Sequence, residues 1–111
     1  EALKNVSPDH LLRNYCAPVL TVLRAYDEQN KTEYFNTLRM FVLCERNYKE
    51  AAMKLNIHKN TLYYRIEQIE KLYYDKSVWD PEFFFTLSSS FRIYDYCQKK
   101  IRIMDARKQT Q

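Results

Sequence analysis

The residues best suited to recognition chemistry stand between positions 47 and 66, in the run NYKEAAMKLNIHKNTLYYRI. Asn60 and Thr61 carry short polar side chains there, and an Asn amide donates and accepts in one plane, the geometry that pairs with the N6/N7 edge of adenine. Lys49, Lys59 and Arg65 supply positive charge, and Tyr63 and Tyr64 add flat rings with hydroxyls. Asn47 and His58 are polar at the two points where a helix would start. Nothing nearby is arranged for breaking bonds. The chain shows no Ser/His/Asp, Cys/His or paired-carboxylate grouping, and with no glycine it has no glycine-rich phosphate loop. His10 and His58 are the only histidines, and no ligand spacing links them to a metal. The expectation is a binding protein with no enzyme activity, no cofactor and no metal.

The elements that must position these side chains are two short helices and a tight turn. Asn47 can cap the first helix, with Glu50 three residues on completing a reciprocal capping box. Ala51, Ala52 and Leu55 then repeat at helical spacing, and the small Ala52 allows a partner helix to approach closely. Asn56 falls where a left-handed residue is wanted, a conformation Asn tolerates better than most. Ile57 plugs the core from the turn. The second helix opens near His58 and runs to about position 74. Its apolar stripe is Leu62, Ile66, Ile69 and then Leu72 or Tyr73. At about 100° per residue, Asn60, Tyr64 and Glu67 point away from that stripe, with Lys59, Thr61, Tyr63, Arg65 and Gln68 on its flanks. Two helices so built, the second polar and basic on one side, make a helix-turn-helix, which lays its second helix in the major groove of DNA.

Several of these residues have a plainer reading. His58 suits a helix cap or a surface position as well as a DNA-proximal one. Tyr63 and Tyr64 can pack instead of touching phosphate or base, although Tyr64 points outward on the helical wheel. Lys59 and Arg65 suit phosphate contacts, yet either can be a solvated charge.

Charge and composition agree with a polyanionic partner. The net charge is +4, and the segment 46–65 holds Arg46, Lys49, Lys54, Lys59 and Arg65 against the single acid Glu50. The stretch 99–108 is basic as well. Hydrophobic residues make up 46% and aromatics 15% of 111 residues, enough for one domain with a modest core. Zero Gly and three Pro leave few turn-makers for a many-stranded β fold. Cys16, Cys44 and Cys97 are odd in number and widely spaced, which fits reduced core thiols. No apolar run is long enough to cross a membrane, so no membrane association is expected.

The run LNIHKNTLYYRIEQIEKL, 55–72, resembles the "L-x-I-H-R-N-T-L-x-Y-R" signature of the C-terminal domain of PucR/CdaR-type bacterial transcriptional regulators, whose core is similar to the Fis-type helix-turn-helix. Upstream, PVLTVLRAYDEQNKTEYFNTLRMFV at 18–42 is similar to the family's approach to the motif, and downstream DPEFFFTLSSSFRI at 80–93 resembles its closing helix. The likeness covers roughly 18–94. Arg46 and Asn56 stand where the family often has Gly. The resemblance implies the DNA-binding domain of a cytoplasmic bacterial regulator of transcription; charge and position on the two helices put Asn47, Lys49, His58, Lys59, Asn60, Thr61, Tyr63, Tyr64 and Arg65 forward as the residues expected at the DNA. It also implies an effector sensed by an upstream domain, which makes this chain the C-terminal part of a longer protein.

The remaining segments read as helices too. Ser7-Pro8-Asp9 caps a helix over 10–16, and Pro18 opens another with Val19, Leu20, Val22, Leu23 and Tyr26 mostly on one side. A polar break is expected at 27–31. A third helix then runs from Asn30 or Thr32 to about Cys44 with Tyr34, Leu38, Phe41 and Val42 inward. Asp80-Pro81-Glu82 caps a long last helix to about Met104, where Phe83, Phe84 and Phe85 serve as core or as a dimer surface. The expected fold is a single all-α domain, a compact bundle of five or six helices. Helices fill 7–44, the helix-turn-helix 47–74 and the final helix 80–104. Its partners are double-stranded DNA and a second copy, joined through the C-terminal helix or an upstream domain, with no small-molecule site. A helical protein–protein module whose basic stripe is only solvated is the rival reading. RNA binding is the other, disfavoured because the A-form major groove does not admit such a helix.

Overall fold

A computed structural model describes Ser7, His10 and residues 17–109 of the chain. Five helices and no strand occur among the described residues: α1 Ala17–Asn30, α2 Tyr34–Leu43, α3 Tyr48–Leu55, α4 Lys59–Leu72 and α5 Pro81–Gln109. The helix expected over 10–16 lies outside the described residues, as does Cys16. What is described of its start is the His10 N–H donating to Ser7 Oγ at 3.1 Å, the bond an N-cap makes.

The core is built around α4. Leu62, Ile66 and Ile69 are buried on its inner stripe, and Tyr73, rather than Leu72, continues it. Leu20 and Leu23 of α1, Leu38, Phe41 and Val42 of α2, and Ala51 and Ala52 of α3 close on that stripe. Phe83, Leu87 and Phe91 of α5 complete the cluster. Each fully buried Leu or Ile contributes roughly 1.5–3 kcal/mol of transfer free energy, so this stripe alone holds α4 in register. On α1, Val22 is exposed while Val19 and Tyr26 are half-buried, a narrower apolar face than its sequence suggests.

The expected polar break at 27–31 is shorter. α1 continues through Asn30, and only 31–33 connect it to α2. The reason is Asp27. Its carboxylate accepts the backbone N–H groups of Tyr34 at 2.9 Å and Phe35 at 2.8 Å, together with the Thr32 hydroxyl. It thus caps α2 from the preceding helix and remains helical itself, while Glu33, at the N-cap position, makes no side-chain cap bond.

Without glycine, the turns use other residues in left-handed conformation: Lys31, Glu45, Arg46, Asn56, Tyr74 and Asp75 all have φ between 53° and 64°. Three helix ends close in the same way, by a backbone N–H five residues on: Arg46 to Phe41, Ile57 to Ala52 and Asp75 to Glu70, at 2.9–3.0 Å. Of these, only Asn56 and Asp75 are residue types that visit that region with any ease. α5 is capped by Asp80, whose Oδ2 accepts the Phe83 N–H at 2.9 Å, and it runs past Met104 to Gln109.

Candidate nucleic-acid interface

The turn that aims α4 is fixed at both ends. Asn47 Oδ1 accepts the Glu50 N–H at 3.0 Å, so the expected cap on α3 is present. The reciprocal half of the capping box is replaced: the Asn47 N–H donates to Cys44 O, and Glu50 instead pairs with Lys54 at 3.3 Å. At the other end Asn56 adopts φ 57°, ψ 45°. His58 then caps α4, its Nδ1 accepting the Asn60 N–H at 3.1 Å. Its side chain is thereby committed to shaping the helix start, and a contact to a partner would have to use the far edge of the ring.

Beyond that cap the outer face of α4 is open. Lys59, Asn60, Thr61, Tyr63, Tyr64 and Glu67 are all exposed, while Leu62 and Ile66 between them are buried. Tyr64 retains 59% and Tyr63 45% of its surface, large for aromatic rings on a packed helix. Asn47 and Lys49 are exposed at the start of α3. The structure therefore brings eight of the nine candidate residues to exposed positions on α3, its cap and the first turns of α4.

Arg65 is the exception. It is half-buried, and its Nη1 donates to Oγ1 of the fully buried Thr37 on α2 at 3.0 Å. Thr37 Oγ1 in turn donates to Glu33 O at 2.7 Å. Arg65 therefore ties the middle of α4 to α2, and fewer of its donors face outward than its charge suggests.

The basic cluster is also smaller than the sequence count. The guanidinium of Arg46 lies over the rings of Phe84 and Trp79, and Nη1 reaches Val78 O at 3.4 Å. Its charge is engaged by α5 and the loop before it. Lys54 is paired with Glu50. Lys49 and Lys59 remain as exposed cations of the motif with no ion pair among the described residues.

Tyr48 and Thr37, given no role from sequence, support the face. The Tyr48 ring meets Tyr63 at 4.2 Å, tilted by 30°, and Phe41 at 4.7 Å, a ladder from the core to the surface of α4. Burial pushes the Tyr48 hydroxyl above its ordinary value, opposed by a hydrogen bond from Trp79. No local signal marks Tyr48, because its partners lie on other helices. Burial likewise raises the thiols of Cys44 and Cys97, so both are protonated core residues.

Among the described residues no group of His, Cys, Asp or Glu could hold a metal, and no helix is long and apolar enough to cross a membrane. An open groove lined by Pro18, Val22, Tyr74 and Thr86 among others lies between the starts of α1 and α5, away from the outer face of α4.

Comparison with known proteins points to the same segment. The pattern of the PucR C-terminal helix-turn-helix domain matches residues 34–93. The chain is similar to the proline-responsive transcriptional activator PutR of Bacillus subtilis (strain 168), 45% identical over 53 residues. It is also similar to the DNA-binding transcriptional activator AdeR of the same organism, 36% identical over 53 residues. Each match covers 48% of this chain and 13% of the relative. No solved structure matches the chain.

Proposed function

Because the chain belongs to the family of the PucR C-terminal helix-turn-helix domain, we propose that it is the sequence-specific DNA-binding domain of a transcription regulator, with α4 as the helix that enters the major groove. One observation carries this reading: the first turns of α4 present Lys59, Asn60, Thr61, Tyr63 and Tyr64 to solvent on a helix anchored from behind by Leu62, Ile66 and Ile69. In this reading Asn60, Thr61 and Tyr64 reach base edges or the groove floor, while Lys49 and Lys59 meet phosphates. Asn47 and His58 act by fixing the ends of the turn. Arg65 holds α4 against α2 and reaches phosphate only with the donors that Thr37 leaves.

One such motif reads a few base pairs, so useful specificity calls for two copies on half-sites about one helical turn apart, ~34–36 Å. The second copy would join through α5 and the loop before it, where Phe85 and Trp79 leave 71% and 54% of their surface exposed, or through an upstream domain. That upstream domain would sense the effector; the relative PutR is proline-responsive. The relatives are transcriptional activators, and the chain's role is binding rather than catalysis.

The test is selection of bound duplexes from a random pool by the full chain, followed by titration of the selected duplex, a scrambled duplex and an RNA hairpin. Preference for the selected duplex over both competitors supports the reading. Binding to none of them would favour a protein–protein module, and equal binding to all three would mean sequence-independent attraction to nucleic acid and contradict specific recognition.

A further inference from the structure

α5 is 29 residues long, or about 43 Å at 1.5 Å per residue, far more than packing on the bundle requires. It runs antiparallel along α2. Phe84 meets Arg46 just beyond the end of α2, and Phe91 and Tyr94 meet Phe35 near its start. Arg39 binds Asp95 through two hydrogen bonds, at 2.9 and 3.0 Å, and joins α5 to α2 at the same level. Cys97 is the last buried residue of α5 among those described. The helix then continues for roughly three more turns, through Gln109.

That extension has its own chemistry. Residues 99–108 contain Lys99, Lys100, Arg102, Arg107 and Lys108 against the single acid Asp105, and every one of these side chains is exposed. Complementing the helix dipole explains cations in the last turn, Arg107 and Lys108, but not Lys99, Lys100 and Arg102 further back. Pairing with a second copy would set five cations of one chain beside five of the other. A membrane surface would need a broader apolar face than Ile101, Ile103 and Met104 provide.

The extension leaves the bundle near the start of α2. The same end of α2 carries Thr37, which holds Arg65, the immediate neighbour of Tyr64 on the outer face of α4.

Resting on the reading of α4 above, we infer that residues 99–108 of α5 are a second phosphate-binding surface, touching the duplex backbone outside the groove that α4 occupies. Phosphate contacts of this kind carry no sequence information; they fix register and add affinity. The motif has few unengaged cations of its own, and the extension supplies charge where Arg46 and Arg65 are held by the fold and Lys54 is paired at the surface with Glu50.

The experiment replaces Lys99, Lys100, Arg102 and Lys108 by Gln together in the full chain. All four are exposed and lie beyond the core, so helicity and the thermal midpoint should hold. Binding to the selected duplex is titrated at several salt concentrations and mapped by hydroxyl-radical footprinting. The salt slope should fall by about 0.9 for each phosphate no longer neutralised, over at least two phosphates, and affinity at low salt should drop on the order of tenfold. Backbone protection should disappear on the flank while that around the α4 site stays. Unchanged slope and footprint overturn the inference while leaving the reading of α4 intact. So does loss of binding to anionic lipid vesicles with no change on DNA. A wild-type chain that binds no duplex overturns both.

Discussion

The guanidinium carbon of Arg46 lies 3.7 Å from the centre of the Phe84 ring and 4.8 Å from that of Trp79. Arg46 also has φ 64°, a conformation that costs a non-glycine residue roughly 1–2 kcal/mol. The cation–ring stacking on Phe84 of α5 and on Trp79 in the loop before it compensates for the unfavourable backbone just before α3. Two variants separate the effects. Arg46→Ala keeps the strained backbone without the stacking, and should cost about 1–2 kcal/mol. Arg46→Gly removes the stacking but relieves the strain, so it should melt above Arg46→Ala. Thermal midpoints in the opposite order would show that the backbone at 46 is not under strain.

Leu62 has no exposed surface, and Ala52 keeps 5% where α3 packs on α4. Leu62→Ala should therefore cost ~2–5 kcal/mol through a cavity. Ala52→Leu should cost ~1–3 kcal/mol by overpacking. Denaturant unfolding measures both, and an unchanged midpoint for Leu62→Ala would contradict the register of α4.

Asp27 accepts three donors from the start of α2 and the turn before it. Asp27→Ala should cost ~0.5–2 kcal/mol, the range for removing an N-cap. Hydrogen exchange should rise at the amides of Tyr34 and Phe35 before it rises in α4. Uniform acceleration across the chain would instead make Asp27 part of the global core.

Tyr73 predicts an alkaline limb. Its ring is buried, its hydroxyl donates to Val19 O at 2.7 Å, and burial pushes it well above the ordinary 10.0. Below pH 10 the phenol is protonated in folded and unfolded chains alike, so it adds no pH dependence. Above pH 10 the unfolded chain releases the proton while the folded one retains it, and stability falls. Tyr34 and Tyr48 are raised in the same direction. Tyr73→Phe should cost ~0.5–1.5 kcal/mol at pH 7. It should also flatten the loss between pH 10 and 11 by up to ~1 kcal/mol. Parallel curves for the two proteins would show that Tyr73 ionises freely in the fold.

What can be read from the sequence is local. The cap at Asn47, the left-handed Asn56 and the stripe Leu62, Ile66 and Ile69 depend on neighbours within two turns, and spacing shows them directly. Where long side chains go stays hidden. Arg46 finds Trp79 and Phe84, and Arg65 finds Thr37, across helix pairings that no spacing rule encodes. Asp27 caps a helix through amides seven and eight residues ahead, beyond the reach of a three-residue capping rule, so a helical residue reads as part of a loop. Counting charges along 46–65 gives the sign of the surface but overstates its strength.

The most direct measurement is the base preference of Asn60→Ala. Asn60 is exposed in the first turn of α4, its backbone fixed by the His58 cap. Titrating wild type and Asn60→Ala against the selected duplex and its single-base-pair variants isolates this one side chain. The variant should lose discrimination at one base pair, by about 1–3 kcal/mol, and keep its affinity for unrelated duplexes. Equal weakening on every sequence, with discrimination intact, would contradict base reading by Asn60 and reassign it to contact with the DNA backbone or to helix capping.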